Sequence, residues 1–224
     1  GDSPATRVAG VVSPSFAEER ERVSASVARD DPAAFVTYRE ALARSDNDAA
    51  LAVQQKAGTA AVADLARRAG LSAQPQVPSL ALGTGSATPL ELTVAFAPFA
   101  NGGFAVHPRA IAAVIDQRGR TVFQEEVKRV PVLSAAAAWQ MLSMLREVVD
   151  TGTGTGARVS GVPAGGKTGT TDDYHDAWFV GFVPGLAAGV WVGFDRPAAI
   201  GEAAYAARIA VPIWADFVRR AAKL

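Results

Sequence analysis

Polar and apolar positions over residues 39–56 follow the period of a helix, and the pattern is interrupted once, at Ser45-Asp46-Asn47. Serine, aspartate and asparagine compete for backbone hydrogen bonds and therefore favour caps and turns over helix interiors. We predict two helical segments separated at this point, the second of which ends at Gly58. Residues 1–31 have no clear periodicity and are predicted to be mainly loop.

The pattern that follows predicts two further helices. Thr59 is placed to cap a helix that ends at Gly70, and residues 72–85 are predicted to be loop. Thr88-Pro89-Leu90-Glu91 is a capping box with proline at the first helical position, so we expect another helix to begin there. The Asn101-Gly102-Gly103 sequence ends it.

The second half of the chain predicts strands between two helices. Residues 110–116 and 121–124 flank a glycine-containing turn and predict a hairpin. A helix from Ser134 to about Val149 is expected to bury one face that includes Trp139, Leu142 and Leu145. Three strands are predicted at residues 166–170, 177–183 and 187–194, before a last helix with an apolar stripe of Ile213, Trp214, Phe217 and Val218.

This order of elements predicts an α+β fold, in which helices flank an antiparallel sheet of hairpin-linked strands. A chain of 224 residues that is 49% hydrophobic is long enough for one sizeable core. Its formal net charge of zero argues against nucleic acid or an anionic membrane as a partner. With no cysteine and two histidines far apart in sequence, we expect no metal site, and nothing in the sequence indicates a cofactor.

The most informative segment is Gly166-Lys167-Thr168-Gly169-Thr170-Thr171, which places one lysine beside three hydroxyl groups and two glycines. Such a segment can hold an anionic ligand against an exposed backbone edge, because glycine allows close approach. Residues 161–168 also fit the G-x-x-x-x-G-K-[ST] phosphate-loop pattern. That site needs a helix after the lysine, whereas weak helix formers and an apolar strand pattern follow here, so nucleotide binding is the weaker interpretation.

Ser45-Asp46-Asn47 and Lys167-Thr168-Gly169 are two of the three signatures of penicillin-recognising serine acyl-transferases. In order along the chain, the sequence resembles the bifunctional class A penicillin-binding proteins. The resemblance is carried by Val36–Asn47, Pro78–Gly83, Thr88–Glu91, Phe99–Gly103, Gly166–Thr171, Asp176–Phe179, Val190–Asp195 and Val211–Trp214.

The resemblance implies a penicillin-binding, serine β-lactamase-like fold and a DD-transpeptidase that cross-links D-Ala-D-Ala stem peptides of peptidoglycan through a serine acyl-enzyme. It also implies that β-lactams acylate the same serine. Ser45 would relay a proton near the leaving amine, Asn47 would bind the donor's amide, and Lys167 would supply positive potential. The hydroxyls of Thr168 and Thr170 would bind the terminal carboxylate, and the Thr170 amide would be an oxyanion-hole donor.

Other residues are assigned to the same site by the resemblance. Gly169 would allow the ligand to approach the strand, and Thr171 would lie at the end of the ligand-binding segment. The remaining residues would support the site from behind, and they are Asp46, Thr153, Gly154, Asp176 and Trp178.

One signature of the family, Ser-x-x-Lys with the nucleophile, is absent. The chain has four lysines, and none has a serine three residues before it. We therefore expect residues 1–224 to be the C-terminal part of one transpeptidase domain, whose partner is the missing N-terminal part and which is inactive alone. The alternative is a catalytically dead domain that binds cell-wall peptide or a protein. The resemblance implies a location in the periplasm or at the outer face of the bacterial inner membrane, with membrane attachment only through upstream segments.

Overall fold

The computed structural model describes residues 36–221, so the loop predicted for residues 1–31 lies outside the described part of the chain. Helix α1 (Tyr38–Arg44) and helix α2 (Asn47–Ala57) confirm the predicted break. The first turn of α1 is fixed by a capping box between Thr37 and Glu40. Gly58 follows α2, as the sequence predicts.

Helix α3 (Thr59–Ala69) ends at Gly70, whose φ of 111° is left-handed and favours glycine. The predicted cap is wrong: Gly58 is the N-cap residue, and Thr59 is the first helical residue with no capping hydrogen bond. The hydroxyl of Thr59 instead accepts a hydrogen bond from the Gln54 amide at 3.1 Å. The predicted loop contains a short 3₁₀ helix, Pro78–Leu82, against which Gln54 packs.

Helix α4 (Pro89–Ala100) begins with the predicted capping box, in which Glu91 and Thr88 bond reciprocally. Glu91 also accepts a hydrogen bond from Ser72, and these bonds lower its pKa to about 2. The predicted hairpin consists of β1 (Ala113–Ile115) and β2 (Thr121–Gln124), an antiparallel pair.

Helix α5 (Ala135–Asp150) is capped by the Ser134 hydroxyl. Leu145 and Val149 are buried as predicted, but Trp139 is 67% exposed, so its assignment to the buried face is wrong. In the described part of the chain its side chain has little packed against it, because the buried positions of α5 lie on another face.

Three strands form the main sheet, in the order β3–β4–β5. They are β3 (Gly165–Thr170), β4 (Asp176–Val183) and β5 (Leu186–Gly193), and both pairings are antiparallel. Short 3₁₀ turns at Thr155–Ala157 and Asp172–Tyr174 flank β3. Helix α6 (Ala210–Ala221) completes the fold. Lys167 thus lies within β3, and no helix follows it directly. The phosphate-loop interpretation, which needs such a helix, is therefore wrong.

The two faces of β4 contact different helices, because successive side chains of a strand point to opposite faces. Phe179 packs edge-to-face on Trp214 of α6, with ring centroids 5.1 Å apart. Both side chains are fully buried, as is Val218. On α6, the predicted apolar stripe is only half correct: Ile213 and Phe217 are about half exposed.

Helices α4 and α5 pack on the other face. A methyl group built at Gly189 would contact Thr93 of α4 and Val180 of β4, and one built at Gly165 would contact the Phe182 ring and the backbone of α5. The result is a sheet between two helical layers, which confirms the predicted α+β architecture. β3 lies at one edge of the sheet with Lys167 in its middle.

Candidate active site

The break between α1 and α2 places Ser45 at a helix end. Ser45 adopts the left-handed conformation (φ 58°, ψ 48°), which ends α1, and the Asp46 amide donates to the Ala41 carbonyl at 2.9 Å. The Asp46 carboxylate then caps α2 by accepting from the Ala49 amide at 2.9 Å. Asp46 thus fixes the turn that presents the Ser45 hydroxyl.

Lys167 meets Ser45 across the fold. Its ammonium donates to the Ser45 hydroxyl at 2.8 Å and to the Thr168 carbonyl at 2.8 Å. Burial lowers the pKa of Lys167 to about 8, because removal from water disfavours its charged form. The sequence-predicted lysine and serine are therefore in direct contact.

Asn47 is the first residue of α2 and lines the same cleft as Ser45 and Lys167. Its side chain is exposed and has no hydrogen-bond partner within residues 36–221. An amide side chain offers both donors and an acceptor. Asn47 is therefore available to a ligand that enters from solvent.

The strand residues after Lys167 also line the cleft. The Thr168 hydroxyl shares a 2.7 Å hydrogen bond with the Thr153 hydroxyl, and the Thr170 hydroxyl accepts from the Ala206 amide at 3.0 Å. Gly169 lies between them, and a methyl group there would come within 3.3 Å of the Trp178 Cβ. Each of the two threonine hydroxyls is held by one neighbour and keeps further capacity for a ligand.

The Gly152–Gly154 loop follows α5 and makes hydrogen bonds to both α1 and β3. The Thr153 amide donates to the Ala43 carbonyl at 3.0 Å, while its hydroxyl contacts Thr168. Gly152 permits this approach, because a Cβ there would lie 2.2 Å from the Ala43 oxygen. A Cβ built at Gly154 would lie 3.2 Å from the Val148 carbonyl oxygen and 3.3 Å from the Phe179 ring. The loop therefore fixes the distance between the Ser45 turn and the lysine strand.

Thr171, Asp176 and Trp178 lie outside the residues that line the cleft. The Thr171 hydroxyl accepts from the Asp176 amide at 2.8 Å, and the Asp176 carboxylate accepts from the Trp191 ring at 2.8 Å. Trp178 and Trp191 have ring centroids 6.0 Å apart. In this structure the three residues brace the β3–β4 turn.

The cleft, defined as the space beside Ser45, Asn47 and Lys167, has a volume of about 1120 Å³. Most of its remaining wall is apolar and is supplied by α1, α2, α4 and α5, including Leu42, Val53, Phe96, Met141 and Met144. Tyr205 and Ala206 also line it, although no sequence pattern identifies them. Both follow β5 in a segment without a recognisable motif, and only the Thr170 contact indicates their place.

The described residues contain no group of three side chains that could hold a metal ion. None of the helices within residues 36–221 combines the length and the apolar character needed to cross a bilayer.

Comparison with known proteins identifies the family. A model of the penicillin-binding protein transpeptidase domain matches residues 17–215. The chain belongs to this family.

Among its relatives are penicillin-binding proteins 1A. The protein from Aquifex aeolicus is 41% identical over 184 residues, and that from Neisseria gonorrhoeae is 38% identical over 197 residues. The matches cover 82% and 84% of this chain but 25% of each relative, so the chain spans about a quarter of the length of these curated relatives. These matches confirm the resemblance to class A penicillin-binding proteins.

Solved structures share the fold. The crystal structure of penicillin-binding protein 1A from Haemophilus influenzae superposes with a TM-score of 0.76 at 27% identity, covering 84% of this chain and 34% of that one. Penicillin-binding protein 3 from Mycobacterium tuberculosis, complexed with aztreonam, gives a TM-score of 0.68 at 26% identity and covers 84% and 52%. The penicillin-binding fold expected from the sequence is confirmed.

Proposed function

We propose that this chain forms the lysine side of a peptidoglycan DD-transpeptidase site, which cross-links D-Ala-D-Ala stem peptides by serine acyl transfer. The observation that carries the proposal is the 2.8 Å contact between the Lys167 ammonium and the Ser45 hydroxyl, at one end of a strand-edge cleft that Asn47 also lines. Family membership supports the reaction class, and the geometry supports the residues.

In the proposed reaction, a serine oxygen attacks the carbonyl carbon between the two terminal D-alanines and the terminal D-Ala leaves with a proton. Lys167 supplies positive potential to the substrate's carboxylate, and Ser45 passes the proton to the leaving amine. An amine on a neighbouring stem then attacks the ester and releases the serine. The Thr170 amide stabilises the oxyanion of each tetrahedral intermediate.

The hydroxyls of Thr168 and Thr170 are proposed to bind the substrate's carboxylate, and Gly169 to let the peptide lie against β3. Asn47 would bind the peptide's amide group. Thr171 is proposed to complete the ligand-binding segment at the end of β3, because its contact with Asp176 holds the turn that follows the strand.

The sequence contains no Ser-x-x-Lys, so the proposed reaction assigns the attacking serine to a polypeptide segment other than residues 1–224. The cleft is suited to receive it. At a diameter of about 10 Å and a rise of 1.5 Å per residue, a volume of 1120 Å³ corresponds to roughly two and a half turns of helix. The apolar wall of Met141, Met144 and Phe96 would contact the helix, while Lys167 and Ser45 would face its serine.

Labelling with a fluorescent penicillin tests this function, in a polypeptide that joins this chain to the coding sequence directly upstream of it. We expect covalent labelling that survives denaturation and falls at least tenfold in Lys167→Ala, with Lys128→Ala as the matched lysine control. Labelling independent of Lys167 would contradict the proposed site. The same two variants separate loss of the site from a general charge effect.

The absence of Ser-x-x-Lys from the sequence favours a second candidate, a binding domain without catalysis. Such a domain would bind D-Ala-D-Ala peptides reversibly in the same cleft and form no acyl-enzyme. Peptide binding without penicillin labelling in the extended polypeptide would favour this candidate. In either case the substrate is cell-wall peptide, so we propose that the chain acts outside the cytoplasm, in the periplasm.

A further inference from the structure

The Thr170 hydroxyl is held by a segment that lies outside the strands. The amide of Ala206, a residue 1% exposed, donates to the Thr170 hydroxyl oxygen at 3.0 Å. A hydroxyl oxygen that accepts from one N–H retains its own proton and directs it towards another acceptor. Thr170 and Ala206 both line the cleft, so a ligand bound there can supply that acceptor.

Two tyrosines hold the segment that contains Ala206. The Tyr174 hydroxyl donates to the Tyr205 hydroxyl at 2.9 Å, and the rings meet edge-to-face with centroids 5.1 Å apart. The Ile200 amide also donates to the Tyr174 carbonyl at 2.9 Å. The turn after β3 and the segment before α6 are thus tied together one residue away from Ala206.

The backbone on both sides of this contact is in the left-handed region. Asp173, Tyr174 and Ala203 have φ values of 59°, 56° and 53°. Residues other than glycine adopt such angles only where neighbouring contacts hold them. The phenol pair and the Ile200 bond are such contacts, so removal of a phenol oxygen is expected to let the two segments move apart.

We propose that the Tyr174–Tyr205 pair is a positioning device. It holds the Ala206 amide against Thr170 so that the Thr170 hydroxyl donates a hydrogen bond to a ligand's carboxylate. This inference rests on the proposed function, because it assigns that carboxylate to the C-terminus of a D-Ala-D-Ala peptide. Tyr174 and Tyr205 act through Thr170, and the pair determines how strongly the cleft distinguishes a carboxylate from a neutral end.

The test measures the affinity of this chain for two peptides, diacetyl-Lys-D-Ala-D-Ala and its C-terminal amide, by NMR shift titration. In Tyr205→Phe and Tyr174→Phe, we expect the preference for the carboxylate to fall roughly two- to tenfold, the size expected for one hydrogen bond. Affinity for the amide should stay unchanged, because the rings remain. Thr121→Val, which removes an exposed hydroxyl on β2, is the matched control and should change neither affinity.

Variants of Thr170 test whether the tyrosines act through the Thr170 hydroxyl. Thr170→Val should reduce the same preference, and the double variant Thr170→Val/Tyr205→Phe should reduce it no further. Thr170→Ser keeps a hydroxyl and should retain most of the preference. A merely structural role of the tyrosines would lower the affinity for both peptides equally and would add to the effect of Thr170→Val.

Hydrogen exchange of the Ala206 amide tests the contact without a ligand. We expect faster exchange in both Tyr→Phe variants than in the parent chain. If the parent prefers the carboxylate but the Tyr→Phe variants keep both this preference and the slow exchange, the inference is wrong and the proposed function stands. A parent chain that does not prefer the carboxylate overturns the inference, while the proposed function is decided separately by penicillin labelling of the extended polypeptide.

Discussion

The ammonium of Lys167 lies 2.8 Å from the hydroxyl of Ser45, although 122 residues separate the two along the chain. The contact joins the middle of an edge strand to the turn between two helices. It also brings a lysine with a pKa of about 8 next to a hydroxyl that can take or give a proton.

The first prediction concerns stability against pH. The pKa of Lys167 is about 8 in the folded chain and near its usual value of 10.5 when unfolded, so the unfolded state binds more protons between these values. Stability should therefore rise with pH from about 8 to 10.5, by at most about 3.5 kcal/mol, since one pKa unit corresponds to about 1.4 kcal/mol. Urea unfolding at several pH values measures this.

Lys167→Met provides the control for that measurement. The variant lacks the buried charge, so its stability should not rise in this pH window. At pH 7 it should be more stable than the parent chain, and the difference should shrink towards pH 10. Parallel pH profiles for the two proteins would contradict the assignment of the low pKa to Lys167.

The second prediction separates the hydroxyl of Ser45 from its backbone. Both Ser45→Ala and Ser45→Gly remove the acceptor that stabilises the Lys167 ammonium, so the lysine pKa should fall below its value in the parent chain. Because Ser45 is left-handed, the glycine variant should be about 1 kcal/mol more stable than the alanine variant. NMR titration of the lysine Cε signal and urea unfolding measure the two effects. Equal stability of the variants would contradict the left-handed turn.

The sequence predicts much of the arrangement around this pair, because the relevant signals are local. The Ser45-Asp46-Asn47 break follows from side chains that compete for backbone hydrogen bonds, and the strand through Lys167 follows from its weak helix formers. The capping box at Thr88 likewise fixes the start of α4 within a few residues. These features depend on neighbours in sequence.

The errors concern tertiary contacts. Thr59 has the chemistry of a cap, but its hydroxyl accepts a hydrogen bond from Gln54 instead. The helix therefore begins at Thr59 itself, one residue earlier than a Thr59 cap implies, and has no side-chain capping bond. Trp139 has the right spacing for a buried face and yet is exposed, because periodicity does not show which neighbours cover a face. The contact of Ala206 with Thr170 joins residues 36 apart and follows no motif.

The third prediction concerns ligand binding against pH. The Lys167 ammonium attracts a carboxylate only while it is protonated, so the affinity for a D-Ala-D-Ala peptide should fall as pH rises through about 8. A bound carboxylate stabilises the ammonium and should move this midpoint to higher pH. Titrations between pH 6 and 10 measure the effect, and the peptide amide is the control, whose affinity should change little. A carboxylate affinity that is constant up to pH 10 would show that Lys167 does not contribute.

The fourth prediction compares two glycines of β3. A Cβ at Gly166 would lie 2.7 Å from the Phe179 ring and 2.8 Å from the Val180 carbonyl, whereas a Cβ at Gly169 would meet only Trp178, at 3.3 Å and beyond. Gly166→Ala should therefore destabilise the chain by roughly 1–3 kcal/mol, and Gly169→Ala by less than about 1 kcal/mol. Urea unfolding of both variants checks the order. A reversed order would mean that the β3–β4 spacing differs from this structure.

The fifth prediction concerns Gln54, a buried polar residue that the sequence analysis overlooks. Its amide nitrogen donates to the carbonyls of Val77 and Pro78 at 3.0 and 2.9 Å, and its oxygen accepts from the Ala81 amide. These bonds fix the 3₁₀ helix beside the cleft to α2.

Gln54→Leu leaves those backbone groups without their partner, and a buried unpaired group costs about 1–3 kcal/mol. We expect a loss of about 3 kcal/mol in the free energy of unfolding, with faster hydrogen exchange at Ala81. Gln55→Leu, at the exposed neighbouring position of α2, is the matched control and should change stability by less than about 0.5 kcal/mol. Similar losses in the two variants would show that Gln54 acts through helix propensity alone, because only position 54 reaches the segment at Val77–Ala81.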